Sequence, residues 1–239
     1  MPAFDLERSC VVVRIVYDGP AFAGKTTNLK RLCDLFPVER RSELYTPGAL
    51  KGRTMFFDWL EIDGGRKGKH AYRFQLLTVP GQAARSYRRR PLLRLADAVV
   101  FVCDCSPEQI AETRKSFSQL KARLRERSPE RIPLVVQLNK QDAPGALAPE
   151  EMTRLLKLDA SIPVVPASAV SGKGVRETIV AVVREAGKKV TKQLAEHDVE
   201  SFGDTPGSAD DLFMQMLELE DTAEEEDADS AAKEDEEDE

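Results

Sequence analysis

Gly19, Gly24, Lys25 and Thr26 occupy the first, sixth, seventh and eighth places of the segment Gly19-Pro20-Ala21-Phe22-Ala23-Gly24-Lys25-Thr26. Two glycines at this spacing let the backbone turn tightly, so that successive N–H groups aim at one anion. The helix that follows adds the partial positive charge of its N-terminus. A lysine placed next can reach the outer phosphates of a nucleoside di- or triphosphate, and the hydroxyl after it is a hard oxygen ligand for Mg²⁺. Gly19, Ala21, Phe22, Ala23, Gly24, Lys25, Thr26 and Thr27 are therefore read as nucleotide-binding, with Thr26 also a metal ligand. A glycine-rich turn that merely precedes Lys-Thr is the plain alternative. The apolar run Val11–Tyr17 before the segment and the helical pattern Asn28–Cys33 after it argue against that alternative.

A second constellation narrows the ligand. Asn139-Lys140-Gln141-Asp142 follows the apolar run Leu134–Leu138, at the carboxyl end of an expected strand, where open α/β sheets bind ligands. The Asp142 carboxylate can accept hydrogen bonds from guanine N1–H and the 2-amino group. Adenine offers neither and would leave the carboxylate partly unpaired. Pro166-Ala167-Ser168-Ala169 closes another short strand, and Ser168 and Ala169 can turn backbone N–H groups toward the guanine carbonyl. Asn139, Lys140, Asp142, Ser168 and Ala169 join the site, and the expected ligand is GTP or GDP. An ATP-using enzyme is the reading that Asp142 opposes.

These residues need elements to hold them, and the apolar patterning supplies them. Strands are expected at Cys10–Tyr17, Met55–Ile62, Tyr72–Val79, Ala98–Asp104, Leu134–Leu138 and Val164–Pro166. Helices are expected at Lys25–Phe36, Ser86–Leu95, Pro107–Arg127, Pro149–Lys157 and Val175–Leu194. Several strands are apolar almost throughout, as in parallel sheets covered on both faces. The alternation gives an α/β fold with a six-stranded, mostly parallel sheet. The glycine-rich stretch between Ile62 and Tyr72 makes the second and third strands a hairpin, one antiparallel edge.

Charge divides the chain. Residues 1–195 carry 34 Lys and Arg against 21 Asp and Glu, while residues 196–239 carry one basic residue, Lys233, against 20 acidic ones. This is the pattern of a folded basic domain with an acidic tail. The last residues, 221–239, are too polar to fold alone and are expected to be disordered. Within the tail, 209–220 forms an amphipathic island with Leu212, Phe213, Met216, Leu217 and Leu219 at helical spacing and Ser208 as N-cap. It suits either docking on its own domain or a groove on another protein. Arg85, Arg88, Arg89 and Arg90 form a basic run, read either as a solvated face or as a surface for an acidic partner, the tail included. No basic stripe interleaved with aromatics is present, which speaks against nucleic acid as a partner.

The four cysteines lack C-x-x-C spacing and read as reduced thiols. His70 and His197 have no metal-ligand companions. No apolar stretch approaches the ~20 residues that span a bilayer, and no signal peptide is seen. A cytoplasmic protein is expected, brought to cell poles or membrane complexes through partners.

With these segments assembled, residues 8–190 resemble the Ras-like small GTPases, and among them the bacterial MglA-type gliding-motility GTPases. The resemblance rests on Gly19–Thr27, Gly52–Asp58, Asn139–Asp142 and above all Thr78-Val79-Pro80-Gly81-Gln82. It implies a P-loop NTPase G domain over residues 1–195 that acts as a GTP-dependent switch with slow, activator-dependent hydrolysis. It also implies Thr54 as the switch threonine on Mg²⁺, Gly81 as a γ-phosphate donor, Gln82 orienting the attacking water, and Arg53 as an arginine finger in cis. The expected partners are a Roadblock/LC7-type activating regulator and effectors, in cell polarity or motility. Two departures stand out. Thr78 replaces the carboxylate that usually helps to hold Mg²⁺, so weaker metal binding is expected, with Asp58 a possible assistant. Ala21 stands where relatives have glycine, and its methyl group crowds the closure of Arg53 and Gln82, slowing hydrolysis. Both departures also suit a non-catalytic GTP-binding scaffold that recruits partners through its tail.

Overall fold

Nine consecutive buried residues, Cys10–Asp18, form the central strand β2. The computed structural model describes residues 3–47, 56–80, 89–127, 132–196, 202 and 208–218. The other elements are β1 (Ala3–Asp5), α1 (Lys25–Leu35), β3 (Trp59–Lys67), β4 (His70–Thr78), α2 (Arg89–Leu95) and β5 (Ala98–Asp104). After these come α3 (Ile110–Arg127), β6 (Leu134–Asn139), α4 (Pro149–Leu156), β7 (Val164–Pro166) and α5 (Val175–Glu196). The sheet runs in the order β3-β4-β2-β5-β6-β7, parallel except for the β3–β4 hairpin and the short β1.

Among the described residues the sheet has seven strands where the apolar pattern gave six. The extra strand, β1, pairs antiparallel with the first residues of β2, Asp5 facing Cys10 and Ala3 facing Val12. On the same edge β5 pairs only from Ile15 onward, so β1 covers the length of β2 that β5 leaves open. Ala3-Phe4-Asp5 is too short and too mixed to show any periodicity. The hairpin is present but shifted. β3 begins at Trp59 and extends to Lys67, well past Ile62, and the reversal is the two residues Gly68 and Lys69. Gly68 takes φ 64° there, the left-handed geometry that two-residue hairpin turns require. The predicted start of α2 at Ser86 and of β3 at Met55 lies outside the described residues.

Burial explains the layering. Val11, Val13, Ile15 and Tyr17 alternate on one face of β2 and pack against Leu29 and Leu32 of α1 and Ile179, Val182, Ala186 and Val190 of α5. On α3, Phe117 and Leu120 are buried, and Phe117 packs its ring 4.9 Å from that of Phe101 on β5. These packed helices fix the carboxyl ends of β2, β5, β6 and β7 side by side. The phosphate-loop segment follows β2, Asn139–Asp142 follows β6 and Ser168–Ala169 follows β7, while Thr78 ends β4 next to β2.

By contacts the chain separates into two units, Met1–Thr205 and Pro206–Glu239. In the second, residues 209–218 are helical. Ser208 Oγ accepts the Asp211 N–H at 3.1 Å, and an Asp211 carboxylate oxygen accepts the Ser208 N–H at 3.0 Å, a reciprocal cap that satisfies two end donors. The expected disorder of 221–239 lies outside the described residues.

Candidate functional site

The segment after β2 has the shape its composition implies. Gly24 sits at φ 98°, and a Cβ built there would come 2.3 Å from the Asn139 side-chain nitrogen. Only glycine meets both demands. Phe22 also takes a positive φ, 61°, with its ring largely exposed, a conformation that costs a non-glycine residue energy and is concentrated at ligand loops. Lys25 folds back across the loop and donates to the carbonyls of Gly19 at 3.0 Å and Pro20 at 2.7 Å. Burial pushes its ammonium down to about 8. The Asp18 carboxylate opposes that fall, the Arg89 guanidinium adds to it, and Asp58 opposes it more weakly.

Asn139 joins the two halves of the site. Its side-chain N–H donates to the Ala23 carbonyl at 2.7 Å, and its side-chain oxygen accepts the Ala169 N–H at 2.8 Å. One buried amide thus ties the phosphate loop to the Ser168–Ala169 turn. Lys140, in left-handed backbone conformation, extends its ammonium to 2.6 Å from the buried Asp104 carboxylate. Asp142 is exposed at the rim, free to meet a ligand. Ser168 is held by its N–H on the Lys173 carbonyl at 2.9 Å. Behind these loops Asn28 exchanges two hydrogen bonds of 2.8 Å with Gln137, and Gln137 donates to Thr178 at 2.9 Å. All three are buried, and the chain of bonds braces α1 against β6 and α5.

Asp58 is the largest addition to what the motifs alone reveal. Fully buried, its carboxylate accepts hydrogen bonds from the hydroxyls of Thr26 at 2.5 Å, Thr78 at 2.7 Å and Thr46 at 2.9 Å. Its own N–H donates to Thr78 Oγ1 at 3.0 Å. A carboxylate beside the Thr26 hydroxyl is a hard-oxygen pair suited to Mg²⁺, which takes one or two carboxylates or hydroxyls together with substrate phosphates. The residues present fit the metal. Among the described residues no cluster of three His, Cys, Asp or Glu side chains competes as a metal site.

Arg53, Thr54, Gly81 and Gln82 lie outside the described residues. Three features escaped sequence reading. Thr46 was not singled out, nor was the Asn28–Gln137–Thr178 brace. Asp18, directly before Gly19, is fully buried and paired with Arg89, itself 3% exposed. The basic run therefore has one member turned inward to an acid of the same domain, which corrects its reading as a solvated or partner-binding face at that position. An aspartate ending an otherwise apolar strand was the available signal. Two cavities of about 660 and 320 Å³ lie between the hairpin and α5, lined by Phe74, Val183 and Arg184 among others, and share no lining residue with the phosphate loop.

Comparison with known proteins agrees with this geometry. The model of the ADP-ribosylation factor family matches residues 6–186. The mutual gliding-motility protein MglA of Myxococcus xanthus (strain DK1622) is 37% identical over 173 residues, 72% of this chain and 88% of the relative. ADP-ribosylation factor-like protein 14 of Mus musculus is 34% identical over 86 residues, 33% of this chain and 43% of that protein. Among solved structures, the Arl6 BBS3 small GTPase of Trypanosoma brucei with bound nucleotide analogue GppNp matches with a TM-score of 0.56 at 22% identity. That match covers 74% of this chain and 98% of the other, and carries the fold.

Proposed function

We infer that this chain, which belongs to the ADP-ribosylation factor family of small GTPases and is MglA-like within it, is a nucleotide-dependent switch. We propose that it hydrolyses GTP slowly until a Roadblock/LC7-type regulator engages it, and that it serves cell polarity or motility. The observation that carries the nucleotide reading is the Asn139 amide, which fixes the phosphate loop and the base loop in one register. The polarity or motility role rests on likeness to the gliding-motility relative. The G domain is assigned to residues 1–195 and an acidic tail to 196–239.

In this reading the loop N–H groups and Lys25 hold the phosphates, and Asp142 selects guanine. Mg²⁺, when bound, neutralises charge on the phosphate oxygens. Thr26 and Thr54 would hold it, and Asp58 would orient the Thr26 hydroxyl and supply the carboxylate that Thr78 lacks. A carboxylate supplied from position 58 argues for ordinary metal affinity, against the weaker binding expected from Thr78, and the Mg²⁺ affinity decides between them. Gln82 would position the attacking water, Arg53 would offset charge developing on the transferred group, and Gly81 would bind the γ-phosphate.

Single-turnover hydrolysis of GTP, with and without a Roadblock-type partner, tests this directly. Slow turnover that rises on addition of the partner supports the switch. No turnover in either condition, with GTP still bound, supports the scaffold reading that Ala21 favours. Ala21→Gly is expected to raise the partner-stimulated rate by about tenfold, the scale on which small misplacements near reacting atoms act, and an unchanged rate rejects the crowding argument.

Asp142 gives a cleaner test of base recognition because it is exposed, and its replacement is expected to leave the fold intact. Asp142→Asn turns an acceptor toward guanine N1–H into a group that also donates. GTP affinity should fall by about 100-fold or more while affinity for xanthosine triphosphate, which carries a carbonyl at C2, rises. Competition binding with both triphosphates measures the exchange of preference.

A further inference from the structure

The Asp18–Arg89 pair lies directly beneath the phosphate loop, and nothing in the assigned roles uses it. Asp18 ends β2 and is wholly buried. Its Oδ1 accepts the Gly19 N–H at 2.7 Å and the Arg89 guanidinium. Arg89, on α2, also donates to Ser116 Oγ of α3 at 3.1 Å. Among the described residues, Asp18 Oδ2 and Arg89 Nε have no hydrogen-bond partner. A buried ion pair so incompletely satisfied is a poor source of stability, since apolar replacements of such pairs are commonly neutral or better. Its position suggests another use. The Asp18 charge reaches Lys25, one residue type that a nucleotide phosphate also needs, and Arg89 reaches the same ammonium with opposite sign.

We propose that Arg89 is the counter-charge that makes Asp18 compatible with phosphate binding, so that nucleotide affinity is conditional on α2 remaining docked against β2. The inference rests on the nucleotide-switch reading and adds a positioning residue to it. The electrostatic logic is short. With Arg89 in place, Asp18 is neutralised and Lys25 is available to the phosphates. With Arg89 withdrawn, two anions compete for Lys25, and the buried carboxylate repels each added phosphate. A partner that pulls α2 and Arg89 away from β2 would thereby weaken the hold on the nucleotide without entering the site. The pair also predicts opposite signs for its two members. Removing Arg89 leaves a bare anion under the loop, whereas removing Asp18 leaves a bare cation.

The test measures equilibrium affinities of the full chain for GMP, GDP and GTP in Mg²⁺, with thermal midpoints taken alongside. Arg89→Gln should lose affinity progressively with phosphate number, about tenfold more for GTP than for GMP. Asp18→Asn should lower the thermal midpoint yet tighten GTP relative to GMP. The Asp18→Asn/Arg89→Gln double variant should return to the wild-type ratio. Equal losses for all three ligands in Arg89→Gln, or weaker GTP binding relative to GMP in Asp18→Asn, would overturn the proposal and leave the pair a structural one. Should Arg89→Gln fail to fold, the sign of the Asp18→Asn effect decides alone. An adenosine series on the wild type keeps the two readings apart. Equal affinity for both bases rejects guanine recognition, while the dependence on phosphate number still reports on Arg89.

Discussion

Asp58→Asn is expected to accelerate GDP release in Mg²⁺ by about 10- to 100-fold, the usual penalty for losing the partner that orients a metal ligand. Three threonine hydroxyls donate to the Asp58 carboxylate, at 2.5 Å from Thr26, 2.7 Å from Thr78 and 2.9 Å from Thr46. An amide in its place keeps one acceptor oxygen and presents an N–H₂ to hydroxyls that have been donating. It also removes the negative charge that pairs with a divalent cation. The Thr26 hydroxyl then loses its fixed direction, and with it the aim it would need to hold the metal. Measured in excess EDTA, wild type and variant should release GDP at similar rates, because the interaction removed acts through the metal. A rate difference that persists in EDTA would instead assign Asp58 to the fold alone.

The same cluster supplies a rescue. Thr78 Oγ1 lies in contact with the Asp58 carboxylate, so a carboxylate grown from position 78 arrives at nearly the same point from the end of β4 instead of from the residue that precedes β3. Thr78→Asp in the Asp58→Asn background should recover part of the slow release. Thr78→Asp alone sets two carboxylates against each other in a buried site, where both cannot remain ionised at ordinary cost. That single variant should be the least stable of the three. The order of thermal midpoints therefore separates a carboxylate shifted between neighbouring strands from one with no relation to position 78.

Much of this architecture was legible in the residues because local and global signals coincide there. The phosphate loop carries its own backbone requirements in Gly19 and Gly24, and the β2, β5 and β6 strands are apolar on both faces, as covered parallel strands must be. Asn139 was legible as a motif member but not as a tie, since its two partners, Ala23 and Ala169, are backbone groups more than a hundred and thirty residues apart along the chain in sum. Asp58 was seen only as an assistant to Thr78. Its three hydroxyl partners come from separate segments, and no spacing rule links them. The Asp18–Arg89 pair was hidden for a related reason: an arginine within a basic run looks solvated until the packing of α2 turns it inward. β1 left no trace because three residues cannot display a period.

Asn139→Ala should produce the broadest loss, affecting folding and binding together. The substitution deletes a donor to the Ala23 carbonyl and an acceptor for the Ala169 N–H, and both backbone groups sit where the buried side chain shielded them. Leaving buried partners unsatisfied costs roughly 1–3 kcal/mol each, less whatever entering water restores. A net loss of about 2 kcal/mol would lower the thermal midpoint of the nucleotide-free chain by roughly 4–8 °C in a domain of this size. Binding should suffer beyond that, because the loops that grip base and phosphates would no longer share one register. GDP at about 100 times its dissociation constant adds about 2.7 kcal/mol of stability to wild type, and the same concentration should add little to the variant. Asn139→Asp separates the two bonds. It keeps the acceptor for Ala169 but faces the Ala23 carbonyl with oxygen, so it tests whether the phosphate-loop half of the tie is the costly one to lose. Retention of GDP affinity within about threefold of wild type in Asn139→Ala, a change under 1 kcal/mol, would show that the two loops hold their positions without it.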